Sequence, residues 1–90
     1  MLTIRYSGRF KKDYKTIKKR GYDTRLLEEV LDILSAEESL PLKYRDHALH
    51  GDYQGHRECH ITPDWLLIYK IKDSQLILEL TRTGTHSDLF

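Results

Sequence analysis

Ninety residues with 39% hydrophobic and 32% charged content are enough for one hydrophobic core and too few for two, so a single domain over residues 1–90 is expected. A net charge of +1 gives no nucleic-acid signal by itself, and the longest apolar runs fall far short of the roughly 20 residues that cross a bilayer, so no membrane partner is expected. The lone Cys59 rules out an internal disulfide; with no apolar signal core at the N-terminus, it fits a cytoplasmic protein.

Leu2-Thr3-Ile4-Arg5-Tyr6 alternates apolar and polar residues, which predicts a short half-buried strand, and Ser7 can cap a following helix. In that helix Phe10, Tyr14 and Ile17 recur at helical spacing between lysines, and Gly21 stops it just beyond a basic last turn. Asp23 or Thr24 can cap a second helix whose Leu26, Leu27, Val30, Leu31, Ile33 and Leu34 form a wide apolar stripe, ending before Pro41. So little chain separates the helices that an antiparallel hairpin is the simplest outcome. The basic residues crowd between Arg5 and Arg25 and acidic ones follow from Glu28 to Glu38, either a solvated face or a stripe that attracts phosphate.

Leu42 to Gly55 carries turn signals and reads as a loop with room for a short strand around Ala48 to His50. His56 to Ile61 then alternates, sending His56, Glu58 and His60 to one face and Arg57, Cys59 and Ile61 to the other. Thr62-Pro63-Asp64 turns the chain into a strand from Trp65 to Lys72; after Asp73-Ser74 another strand runs from Gln75 to Thr83, with Leu76, Leu78 and Leu80 toward the core. The order β-α-α-β-β-β predicts an α+β fold, a helical hairpin on one face of a mostly antiparallel four-stranded sheet, with the other face free for ligand.

All five histidines lie in the second half of the chain, four between His47 and His60 and the fifth at His86. Imidazole is the side chain suited to proton transfer near neutral pH. The predicted topology carries His47, His60, Asp64 and His86 toward strand ends and loops on one side of the sheet, a common way to assemble a site. His56 and His60 have the i, i+4 spacing of helical metal ligands, but on a strand they stand about 13 Å apart, so no metal and no cofactor are expected.

The segments D-H-A-L-H-G, R-E-C-H-I-T-P-D-W-L-L-I-Y and R-T-G-T-H-S-D-L-F resemble the YafQ-type toxins of the RelE/ParE superfamily over essentially the whole chain. The resemblance implies a RelE-like fold and a type II toxin: an endoribonuclease that cuts translated mRNA in the ribosomal A site and is restrained by an antitoxin. That partner would be DinJ-like, with a ribbon-helix-helix half that meets operator DNA, and a heterotetramer is expected. On this chain the family's functional positions fall on His47, His60, Asp64, Trp65, His86 and Phe90.

Cleaving RNA without a metal needs a base for the 2′-hydroxyl, an acid for the leaving 5′-oxygen and positive charge for the transition state. His86 is assigned as the acid, His60 and His47 as base and partner or as phosphate binders, and Asp64 as the group that orients an imidazole. Arg82 is the stronger candidate for phosphate contact, and Arg57 is handicapped by alternating onto the face opposite His60. Trp65 and Phe90 could stack on a base; packing is the competing role for Trp65, anchoring the tail for Phe90, and a simple turn for Asp64. The alternative function is that of a non-catalytic ParE-like toxin that inhibits a protein target, which has no need for several imidazoles around one face.

Overall fold

Ser7 ends one element and begins the next. In the computed structural model, which describes residues 1–90, its hydroxyl accepts the backbone N–H of Phe10 at 3.0 Å and donates to the Thr81 carbonyl at 2.8 Å. It thereby caps α1 (Gly8–Lys19) and pins the end of β1 (Thr3–Tyr6) to β5 (Ile77–Gly84). A Schellman pair closes α1, with Gly21 N–H on the Lys18 carbonyl and Tyr22 N–H on the Ile17 carbonyl; Gly21 takes φ 82° to make it. Asp23 then caps α2 (Thr24–Ser35) through the Arg25 N–H.

The sheet has five strands in the order β1-β5-β4-β3-β2, with β1 parallel to β5 and the remaining pairs antiparallel. The strand beyond the four expected is β2, only His47–Ala48, paired with Glu58 and Arg57 of β3 (Arg57–Thr62). It starts one residue earlier than the sequence suggests. One face of β3, β4 (Trp65–Lys72) and β5 packs on the helices, where Phe10, Ile17, Leu27, Val30, Leu34, Cys59, Leu67, Tyr69, Leu78 and Leu80 share one core. No helix is long and apolar enough to cross a membrane.

Two departures from simple alternation shape the other face. Opposite the step from Ile68 to Tyr69, β5 carries an extra residue, Thr81, so that Tyr69 pairs with Leu80 and Ile68 with Arg82. This bulge keeps Leu78 and Leu80 in the helix-side core and lets Thr83 rejoin it. Leu76, expected on the core face, instead precedes β5 in a left-handed turn at φ 54° and is exposed. The chain's last turn, α3 (His86–Leu89), folds back over the face expected to be free. There Leu89 joins Leu66 and Ile68, with Leu49 and Tyr53 alongside, in a second small core.

Candidate active site

His60 lies on β3 opposite Leu66 of β4, and a register shift just beyond it, between His60 and Thr62, loosens the ladder before the Pro63-Asp64 turn. Its Nδ1 approaches the Pro63 carbonyl at 3.4 Å. His86 opens α3, directly after the helix-capping Thr85. These two imidazoles and Asp64 line one open cavity of about 540 Å³, with Tyr22, Leu66 and Thr85 forming much of the rest. Asp64 is exposed in the turn and contributes a carboxylate to the cavity without hydrogen-bonding an imidazole.

His47 sits beside this group, its ring centroid 6.3 Å from that of His60. The ring is held from both ends: Nδ1 lies 2.7 Å from the Arg45 carbonyl, and Nε2 faces Glu58 Oε1 at 3.4 Å. A carbonyl only accepts, so Nδ1 carries a hydrogen. Glu58 is buried, and its second oxygen has no protein partner. A buried carboxylate with half its acceptor capacity unused is costly to the fold, which marks Glu58 as a candidate for a functional role. The sequence offers one signal for Glu58, its alternation onto the His60 face; its pairing with His47 across the β2–β3 ladder appears only in the structure.

Phe90 is exposed, with its ring 4.9 Å from His86 and 5.9 Å from Tyr53. It is thus available for stacking at the rim of the histidine group. Trp65 is not. It is 1% exposed, packs edge-on against Tyr22 at 5.3 Å, and donates its indole N–H to Thr83 Oγ1 at 2.8 Å. A satisfied indole in the core cannot stack on RNA, so Trp65 is a packing residue that seats the start of β4 behind the site.

The arginines also separate. Arg57 points to the helix side of the sheet, where it grips Asp46 through Nε and Nη2 while Tyr69 donates to the same carboxylate. It lines a different cavity, with Leu2, Leu34 and Tyr69, and the structure does not bring it to the histidines. Arg82 reaches Asp13 of α1 at 2.7 Å and 3.2 Å, and Asp13 also accepts the Thr83 N–H. Those bonds use Nε and Nη2 of Arg82. With Phe90, Tyr53 and His50 the residue lines a neighbouring cavity of about 460 Å³, beyond α3 from His60. His56 lies outside β3, so the metal-like spacing with His60 has no helix to act on. Nowhere do three His, Cys, Asp or Glu side chains converge closely enough to hold a metal ion.

A helical hairpin against a mostly antiparallel sheet, with imidazoles gathered at strand ends and a short terminal turn, is the architecture of RelE-like toxin domains. Within that class the chain belongs to the YafQ toxins: residues 2–90 match the family described as the bacterial toxin of type II toxin–antitoxin systems, YafQ. It is 43% identical over 88 residues to the mRNA interferase toxin YafQ of Escherichia coli K12, covering 97% of this chain and 94% of that protein. The crystal structure of a metal-bound toxin from Helicobacter pylori superposes with a TM-score of 0.94 at 48% identity, covering 100% of both chains. The toxin in the Escherichia coli DinJ-YafQ complex superposes with a TM-score of 0.89 at 42% identity, covering 100% of this chain and 99% of that one. Metal is bound by the Helicobacter relative; the side chains arranged here include no three-ligand set that fits one.

Proposed function

We propose that the chain is a ribosome-dependent mRNA endoribonuclease, acting on translated messages in the A site and using its own side chains for acid–base chemistry. The observation that carries this reading is the meeting of His60, Asp64 and His86 in one cavity, with His47 next to His60. A toxin acting only by binding would have no use for four such groups held by separate elements. The YafQ name of the curated relative, an mRNA interferase, supports the same reading.

In the proposed step a base takes the proton of a 2′-hydroxyl, the 2′-oxygen attacks the adjacent phosphorus, and the bond from phosphorus to the 5′-oxygen breaks. His86 gives its proton to that leaving oxygen. The products are a 2′,3′-cyclic phosphate and a 5′-hydroxyl. His60 and His47 share the roles of base and phosphate binder. Glu58 fixes the His47 ring from behind, and Asp64 places a carboxylate in the same cavity as His60 and His86. Phe90 stacks on the base beside the scissile bond, and Arg82 Nη1, left over from the grip on Asp13, offers a donor to an adjacent phosphate.

Control follows from the partner. We propose a DinJ-like antitoxin with a ribbon-helix-helix half, assembled with the toxin as a heterotetramer in the cytoplasm and contacting operator DNA on the toxin's behalf. The Escherichia coli relative's complex with DinJ supports a DinJ-like partner. The exposed lysines of α1, Lys11, Lys12, Lys15, Lys18 and Lys19, form a surface suited to an acidic antitoxin segment or to ribosomal RNA.

The test is a reconstituted translation reaction with a defined mRNA, run with and without ribosomes. Cleavage that needs ribosomes and disappears in His86→Ala is expected. Equal cleavage of naked RNA would remove the ribosome from the account, and inhibition without any cleavage would favour a binding toxin.

A further inference from the structure

His86 opens α3, a helix of only four residues. A single helical turn cannot hold itself in place in water, because nucleation costs more than one turn returns. Three contacts do so here. Leu89 sinks into the small core with Leu66 and Ile68. Thr85 and Asp88 form a reciprocal capping box, the Thr85 hydroxyl accepting the Asp88 N–H at 3.2 Å and the Asp88 carboxylate accepting the Thr85 N–H at 2.8 Å. The third contact comes from 68 residues away. Arg20, the C-cap of α1, places Nη1 and Nη2 on the two oxygens of Asp88 at 2.6 Å and 3.1 Å.

The bidentate fork sets both the direction and the distance of the Asp88 carboxylate. Behind that carboxylate the backbone is packed to contact: a Cβ added at Gly84 would stand 2.9 Å from Asp88 Cβ and 2.9 Å from Oδ2. Asp88 is thus held from one side by Arg20 and backed on the other by a position that only glycine fits. Leu89 fixes how deep the turn sits; the fork fixes how it is rotated, and so where the His86 ring points.

We propose that Arg20, through its ion pair with Asp88, is a positioning residue for His86, and that Gly84 is a glycine because the same pair needs the space. The role rests on the endoribonuclease reading of His86. It differs from a phosphate contact, which an exposed arginine at the end of a basic helix would otherwise suggest.

The experiment compares Arg20→Ala, Arg20→Lys and Gly84→Ala with the wild-type chain. Cleavage is followed in the translation reaction, and the imidazole carbon-bound proton signals of His47, His60 and His86 by NMR on the free toxin. Arg20→Ala leaves the cap and Leu89 in place, so the fold persists; kcat is expected to fall roughly tenfold, as for a catalytic group displaced by a fraction of an ångström, with KM within about twofold. The His86 signals shift or broaden while those of His47 and His60 stay. Gly84→Ala gives the same pattern by pushing Asp88 from the other side, and Arg20→Lys recovers part of the rate. A raised KM with unchanged kcat, or His86 signals that do not move, overturns the proposal. Should the wild-type chain cleave nothing, the endoribonuclease reading falls, and the His86 signals still decide whether Arg20 sets the ring.

Discussion

His47 and Glu58 face each other across the short β2–β3 ladder, Nε2 to Oε1 at 3.4 Å, with the far nitrogen of the ring on the Arg45 carbonyl. The pair is lopsided: the histidine is exposed, while the glutamate is buried with one oxygen unused. Replacing the carboxylate by an amide removes the cost of burying a half-satisfied charge, and the partner it leaves behind, His47, is exposed to water and not stranded in the core. Glu58→Gln is therefore expected to unfold at the same or a higher temperature while its cleavage rate falls at least about tenfold, the ring having lost its charged partner. Parallel loss of stability and activity would make Glu58 a structural residue.

Trp65 gives the opposite pattern. Trp65→Ala empties a fully buried site and is expected to cost about 3–5 kcal/mol, enough to unfold a marginal domain. Trp65→Phe keeps most of the packing and loses the bond to Thr83, about 1 kcal/mol, with cleavage nearly intact. Urea unfolding beside the cleavage assay checks both. A Trp65→Ala protein as stable as the wild type but inactive would restore the stacking role.

The Arg20 side chain, chiefly through its hydrogen bonds, and then the Thr85 N–H, hold the Asp88 carboxyl well below the usual carboxylate range. The sign follows from the unfolded chain, where an aspartate takes up its proton near pH 3.9. Its contribution to stability is complete above about pH 4 and is lost as pH falls through the lower folded value. Asp88→Asn is thus expected to melt below the wild type at pH 7, with the gap closing progressively below about pH 4. Both partners are partly exposed, so added salt narrows the gap as well. A gap that widens on acidification contradicts this.

Burial pushes the Cys59 thiol up, so little thiolate forms at neutral pH. The side chain is fully enclosed within the helix-side core. Labelling by a thiol reagent is expected to proceed only as fast as the domain opens, and to become rapid in denaturant. Fast labelling of the native protein would show that β3 is less protected than its packing indicates.

The hairpin of helices was legible because its signals are local: Ser7 and Asp23 cap, Gly21 stops, and the apolar stripes keep helical period. Alternation likewise put Cys59 and Ile61 on one face and Glu58 and His60 on the other. What escaped was tertiary. The bulge at Thr81 adds one residue without any mark in composition, and it places Arg82 beside Asp13, 69 positions away. Arg57 was already suspect from alternation, but its partner Asp46 lies in a loop with no period to read. A four-residue helix such as α3 is too short for periodicity to show, so the cover it lays over the sheet was missed. Trp65 was ambiguous for a different reason, since an aromatic at the start of a strand serves packing and stacking equally well until its burial is known.

The most direct test of acid–base cleavage by His86 is to map the new 5′ ends of a translated message, and their chemistry, after expression of the wild-type chain and of His86→Ala. Ends bearing a 5′-hydroxyl, within reading frames, are expected in the wild type; in the variant both these ends and the growth arrest are expected to disappear. Ends bearing a 5′-phosphate, or equal arrest by both proteins with no new ends, would contradict that mechanism.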